Sequence, residues 1–269
     1  MPILRIAQAQ MNPRVGDLNG NIEMISGCIS QAAAEGVDLV TFPELAITGY
    51  PPEDLLIKPR FLQDTEKALH ELAGSAQGTT ALVGYAQGVD GKVFNSAAIL
   101  HQGKVVGSYQ KIELPNYGEF DEKRYFEPGS ACCLLELNGI RLLITICEDI
   151  WVEDGPAERC AKEAGVQAVV NISGSPFFAG KLALRQEIVA GFARRTGSFV
   201  YYNNLVGGQD ELIFDGGSLV VGPDGGLIGQ AKRFAGDMLM HDLELPLVQG
   251  AIPPQPCGFI RLEIQNKAS

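Results

Sequence analysis

Apolar positions along the chain switch between two spacings, every second residue and every third or fourth, and the switches mark the predicted elements. Residues 3–9 form a β-rich run and predict a strand. Over 21–34, Ile22, Ile25, Ile29 and Ala32 fall on one helical face. Residues 37–42 predict a short buried strand that runs into Pro43 and Glu44. A second amphipathic helix is predicted over 61–76, then a strand over 80–87. Hairpins follow. Strands 96–100 and 104–109 flank His101-Gln102-Gly103, and strands 132–137 and 140–147 flank Asn138-Gly139, a two-residue turn signal. Strands 219–221 and 227–230 flank Pro223-Asp224-Gly225-Gly226. Between the hairpins the pattern predicts a helix over 156–164, a strand over 168–172, a helix over 181–195 and a strand over 198–204.

These strands are more than one doubly wound sheet needs. Two sheets packed face to face, with helices outside, accommodate them, so the fold class is read as α/β (α+β). No internal repeat or low-complexity linker interrupts the pattern. Residues 1–246 are expected to form the folded unit. Residues 247–269, with Pro253, Pro254 and Pro256, are expected to form an extended C-terminal arm or linker.

Composition narrows the picture. The chain has 269 residues, 46% of them hydrophobic, enough for a large core. Its formal net charge of −11 argues against nucleic acid or anionic membranes as partners. The cysteines are Cys28, Cys132, Cys133, Cys147, Cys160 and Cys257, without a C-x-x-C pair, and His70, His101 and His241 lie far apart, so no metal site is expected. No leader pattern opens the chain, and no apolar run approaches the roughly 18 residues of a membrane span. The expectation is a cytoplasmic protein with reduced thiols.

Three segments end an apolar strand on a polar residue that burial does not explain: Phe42-Pro43-Glu44, Tyr109-Gln110-Lys111 and Ile144-Thr145-Ile146-Cys147. Taken singly, Glu44 reads as a loop carboxylate, Lys111 as a solvated lysine and Cys147 as a core thiol. Taken together they make a chemistry. A thiol with a pKa of about 8.5 is only a few per cent thiolate at neutral pH, and the neighbouring Glu148 and Asp149 would raise it further. Glu44 would take the thiol proton, Lys111 would hold negative charge developing on a carbonyl oxygen, and Glu44 would return the proton to a departing amine. Glu119 would polarise the water that completes the reaction, or orient Lys111.

The segments Phe42-Pro43-Glu44-Leu45, Tyr109-Gln110-Lys111 with Leu114-Pro115, and Cys147-Glu148-Asp149 resemble, in order, the three signatures of the nitrilase (carbon–nitrogen hydrolase) superfamily. The resemblance spans roughly residues 4–245. It implies a four-layer α-β-β-α sandwich, with nucleophile, base and lysine on Cys147, Glu44 and Lys111. Residues 44–56, 114–122, Cys147-Glu148-Asp149-Ile150-Trp151 and residues 171–177 are similar, more narrowly, to the glutaminase domains of glutamine-dependent NAD synthetases. In that group hydrolysis of L-glutamine supplies ammonia to a separate ATP-dependent domain that amidates deamido-NAD. The likeness implies a glutamine pocket lined by Tyr50, Tyr117, Phe120, Glu148, Ser175 and Lys181, with Glu148 facing the α-ammonium and Lys181 the α-carboxylate. Some similar chains carry Arg where Lys181 stands, and lysine cannot form Arg's bidentate fork.

The likeness also implies a homo-oligomer and no cofactor for the hydrolysis. ATP and Mg would belong to a synthetase domain or subunit, whose pyrophosphatase-type ATP-binding loop this sequence lacks. Two other readings stay open: a free-standing omega-amidase or aliphatic amidase, and a scaffold domain without catalysis, against which the intact Glu–Lys–Cys set argues. Among other polar groups, Asn203 and Asn204 end a strand where they could face the cleft, Asp210-Glu211 and Asp215 read as loop residues, and Trp151 reads as packing.

Overall fold

A computed structural model describes residues 3–118, 120–247 and 259–265. The first half of the chain contains β1 (Ile3–Gln10), α1 (Leu18–Ala34), β2 (Leu39–Thr41), α2 (Pro59–Ala73), β3 (Thr80–Val89), β4 (Lys92–His101) and β5 (Lys104–Gln110). The second contains β6 (Cys132–Leu137), β7 (Ile140–Ile146), α3 (Pro156–Ala164), β8 (Ala168–Ser173), α4 (Lys181–Thr196), β9 (Phe199–Asn204), β10 (Val206–Gln209), β11 (Leu212–Asp215), β12 (Leu219–Val221), β13 (Leu227–Gln230), β14 (Asp237–Glu244) and β15 (Phe259–Ile264). A six-stranded sheet runs in the order β14-β1-β2-β3-β4-β5, and a seven-stranded sheet in the order β13-β12-β9-β8-β7-β6-β15.

Period-two alternation explains the layers. Leu4, Ile6, Leu39, Leu82 and Ile99 of the first sheet pack against Leu142, Ile144, Ile146, Val170 and Tyr201 of the second, forming the core between them. The opposite face of the first sheet, including Ala7, Val40 and Val83, is covered by Ile25 and Ile29 of α1 and Leu69 and Leu72 of α2. The opposite face of the second, including Leu143, Val169 and Val200, is covered by Ala157 and Ala161 of α3 and Val189 and Phe192 of α4. The result is the α-β-β-α sandwich. The central strands β7, β8 and β9 are parallel and buried on both faces, which is why their sequences read as nearly continuous apolar runs.

Several boundaries differ from expectation. The second helix begins at Pro59, a residue suited to a first turn, and stops at Ala73. The strand expected to reach Cys147 ends at Ile146. Turn residues Asn138 and Gly139 both have positive φ, as a two-residue hairpin needs. Strand β14 was not foreseen, because its polar residues break up the apolar run. It pairs antiparallel with β1, setting Leu239 and Leu243 toward one layer and Met238 and Met240 toward the other. Asp210 and Glu211 form the tip of the β10–β11 hairpin. Residues 248–258 of the expected arm lie outside the described residues, while β15 pairs in parallel with β6. One expectation is corrected: Cys132 and Cys160 are joined in a disulfide, so not all thiols are free. Their faces meet because β6 lies beneath α3, which spacing along the sequence does not reveal. Among the described residues, no helix is long and apolar enough to cross a membrane.

Candidate active site

The polar strand ends gather at one edge of the two sheets. β2 leads into Phe42, whose N–H bonds to Leu82 O, and the chain then crosses Gly84 of β3. A Cβ at Gly84 would collide with Pro43 O and Leu45 N, so only glycine lets this loop lie flat and turn Glu44 inward. Glu44 is completely buried. Its Oε1 accepts from Lys111 Nζ and Asn95 Nδ2, each at 2.7 Å, and its Oε2 accepts from Gly174 N at 2.7 Å.

Lys111 follows β5 and is fixed through its backbone by Asn95 O and Gly129 N. Its ammonium also donates to both oxygens of Glu122 at 2.9 Å, and Glu122 accepts from Tyr50 Oη at 3.2 Å. Burial opposes the charge on Lys111, but Glu122 and Glu44 outweigh it and hold the ammonium's pKa well above its usual range. Burial raises Glu122 to about 7 against the pull of Lys111. Burial, then Glu122, Glu44 and Cys147, keep the Tyr50 hydroxyl protonated.

Cys147 opens a 3₁₀ turn, Cys147–Ile150, directly after β7, with φ at 42°. A left-handed conformation in a non-glycine residue costs on the order of 1–3 kcal/mol and persists only where neighbours over-determine it. Here Asn171 Nδ2 donates to Cys147 O, and Ile146 N donates to Asp149. The thiol is buried and its pKa stands well above the usual value. Burial is the main cause, then Glu44, with Lys111 opposing. Glu44 and Lys111 thus lie within the electrostatic reach of the sulfur, and the thiol rests protonated, so attack needs a base.

The residues expected to line a substrate pocket occupy different settings. Tyr50 is buried against Phe214 with its hydroxyl committed to Glu122. Tyr117 is exposed, donates to Glu148 at 2.9 Å, and packs edge-on against Phe120. Ser175 is buried, and its N–H bonds to Asn204 Oδ1. Lys181 is buried, its ammonium 4.6 Å from the Trp151 ring centre and 4.9 Å from that of Phe178. Trp151, read as packing, therefore also faces a cation. Glu148 feels Lys181 as well, although burial is the main influence on it and raises its pKa. A recess of about 350 Å³, lined by Tyr50, Phe120, Glu122, Tyr125, Phe126 and Leu212 among others, opens beside this group.

Glu119 lies outside the described residues. Sequence reasoning missed Glu122, which contacts Lys111 alongside Glu44, and also Asn95 and Gly174, which hold Glu44. Asn95 had a faint signal as a polar residue within an apolar strand. Glu122 had none that separates it from its acidic neighbours. Asn203 and Asn204 are fully buried braces: Asn203 donates to Thr41 O, and Asn204 donates to Ser175 O and Gly216 O.

The family described as carbon-nitrogen hydrolase matches residues 5–252. The glutamine-dependent NAD(+) synthetase of Thermotoga maritima is 40% identical over 247 residues, 91% of this chain and 43% of that protein. The chain thus spans less than half the length of that curated relative. The structure of glutamine-dependent NAD+ synthetase from Acinetobacter baumannii superposes with a TM-score of 0.87 at 33% identity, covering 93% of this chain and 48% of the other. An amidase from Nesterenkonia sp. superposes with a TM-score of 0.79 at 27% identity, covering 89% and 90%.

Proposed function

This chain belongs to the carbon–nitrogen hydrolase family, and on that footing we propose that it is a glutamine amidohydrolase working through a cysteine thioester. The observation that carries the reading is the buried Glu44–Lys111 pair, 2.7 Å apart and within electrostatic reach of the strained Cys147 elbow. A resting thiol beside an organised carboxylate suits general-base catalysis.

Glu44 takes the thiol proton as Cys147 Sγ bonds to the amide carbon. The carbonyl π electrons move to oxygen, where Lys111 meets the charge, an interaction of the kind worth about 10²–10³ in rate. Collapse breaks the C–N bond, and the proton held by Glu44 leaves with ammonia. Water then gives a proton to Glu44 and its oxygen to the acyl carbon, the S–C bond breaks, and the proton returns to sulfur. Glu122 and Tyr50 keep Lys111 charged and aimed. Lys181 and Glu148 would meet the two charged groups of the amino acid, with Tyr117, Phe120 and Ser175 completing the pocket.

The likeness to NAD synthetases supports glutamine over a simple amide, and supports transfer of the ammonia to an ATP- and Mg-dependent synthetase domain or subunit that amidates deamido-NAD. A free-standing amidase is the second reading, favoured by the match to nearly all of the Nesterenkonia protein. Ammonia release from L-glutamine and from a simple amide such as butyramide, by the unaltered chain and by Cys147→Ala, decides. The expected result is turnover of glutamine, abolished in the variant without loss of fold. Turnover of simple amides alone supports the second reading, and unchanged activity in Cys147→Ala overturns both.

A further inference from the structure

Asp149 touches none of the side chains just given a chemical role, yet its carboxylate is saturated. Oδ1 accepts from the backbone N–H of Ile112 at 3.2 Å and of Glu113 at 2.9 Å. Oδ2 accepts from Tyr109 Oη at 2.7 Å and from the N–H of Ile146 at 2.8 Å. Tyr109 and Ile112 bracket Lys111 along the chain, and Ile146 immediately precedes Cys147. The segment carrying Lys111 belongs to the first sheet and the Cys147 elbow to the second. Asp149 is 1% exposed, so its bonds are not exchanged with water.

Apolar packing between sheets is non-directional and sets their separation more firmly than their lateral register. A carboxylate taking four directed bonds from both segments fixes that register. We propose that Asp149 is the positioning residue that holds the Cys147 sulfur in line with Lys111 and maintains the strained elbow. This rests on the reading that Cys147 and Lys111 act together. Asp149 is not itself a base, because its oxygens are occupied and buried. Tyr109 serves as a donor, since burial and then Asp149 keep its hydroxyl protonated.

The test compares Asp149→Asn and Tyr109→Phe with the unaltered chain in three measurements: thermal midpoint, kcat and KM for L-glutamine, and the rate of Cys147 alkylation by iodoacetamide, with the site verified by mass spectrometry. Asparagine must aim an NH₂ at one of the N–H donors, whereas Tyr109→Phe removes a single donor. Misplacement by about 1 Å costs around a hundredfold in rate. We therefore expect Asp149→Asn to lower kcat about that much, Tyr109→Phe to lower it about tenfold, KM to stay within about threefold, and alkylation to slow in both. Undiminished kcat in folded Tyr109→Phe, or KM rising in step as kcat falls, overturns the assignment. Should Asp149→Asn not fold, Tyr109→Phe decides alone. A wild-type chain that leaves glutamine untouched counts against the substrate reading only. The alkylation comparison then decides on Asp149, and equal or faster labelling in Tyr109→Phe overturns it.

Discussion

The backbone N–H of Gly174 donates to Glu44 Oε2 over 2.7 Å, joining the end of β8 in one sheet to the loop after β2 in the other. The bond forms because nothing projects from Gly174. A Cβ there would lie 3.1 Å from Tyr50 Cγ and 3.3 Å from Glu44 Oε2, closer than ordinary van der Waals contact. Gly174→Ala should therefore displace the carboxylate and the Tyr50 ring together. We expect kcat for glutamine to fall at least about tenfold, with a stability loss of about 1–3 kcal/mol typical of overpacking. Steady-state kinetics and urea unfolding measure the two effects. Unaltered kcat would show that Glu44 tolerates the shift.

Glu122 gives a pH signature. Its pKa is raised in the fold to about 7, chiefly by burial. A carboxyl with a folded value above its unfolded one binds more protons folded than unfolded between the two. The unfolding free energy it contributes is therefore full below the unfolded value and is lost as pH rises through about 7. Asp149, raised to about 6 by burial, has the same sign. His101 and His241, lowered by burial, have the opposite sign and gain stability as pH rises toward 6.5. Comparison with Glu122→Gln cancels the other groups. The unaltered chain should lose more thermal stability between about pH 5.5 and 8 than the variant does. Parallel curves would show that Glu122 does not titrate in that window.

How much of this could be read in the chain follows from what each feature depends on. Glu44, Lys111 and Cys147 are legible because each stands where an apolar strand stops on a polar residue, a local pattern. The two sheet layers are legible too, since the apolar runs of β7 and β8 and the helical spacing of Ile25 and Ile29 are local. Glu122 is not. Asp121 and Glu122 are adjacent acids in one loop, and only the closing of that loop onto Tyr50 and Lys111 selects which turns inward. The Cys132–Cys160 bond, Asn95 on Glu44 and Arg185 on Asp215 are contacts between elements distant in sequence. Strand β14 is hidden for a different reason: His241 and Asp242 interrupt its apolar positions, so neither a continuous run nor a clean alternation stands out.

Arg185 and Asp215 make a stability prediction. Both are completely buried, with Arg185 Nη2 3.1 Å from Asp215 Oδ1, and Arg185 also donates to Gly216 O and Ser175 O. Removing one partner of a buried pair costs about 3–5 kcal/mol, because the other charge is stranded. Arg233, 3.2 Å from Asp215 Oδ2, leaves some compensation, so Arg185→Met should cost about 3 kcal/mol. Arg185→Met combined with Asp215→Leu should recover part of that loss, since neither charge is then buried alone. Urea midpoints of the single and double variants test this. A double variant no more stable than the single one would show that the stranded Asp215 charge is not what makes Arg185→Met costly.

Lys181 provides the test of substrate choice. It is 7% exposed, and its ammonium lies over Trp151 at 4.6 Å and Phe178 at 4.9 Å. Aromatic faces attract a cation, and in the proposed function this ammonium meets the substrate's α-carboxylate. Of the candidate substrates, glutamine carries an α-carboxylate and a simple amide carries none. A hydrogen bond to a charged group contributes about 1.5–3 kcal/mol, or roughly ten- to a hundredfold in binding. Lys181→Ala should therefore raise KM for glutamine by about that factor and leave kcat within a fewfold, while KM for butyramide hardly moves. Lys181→Arg keeps the charge over the same rings and should restore most of the glutamine affinity. An equal rise in KM for both substrates in Lys181→Ala would assign the residue to shaping the pocket wall and would remove the contact that distinguishes an amino-acid amide from a simple one.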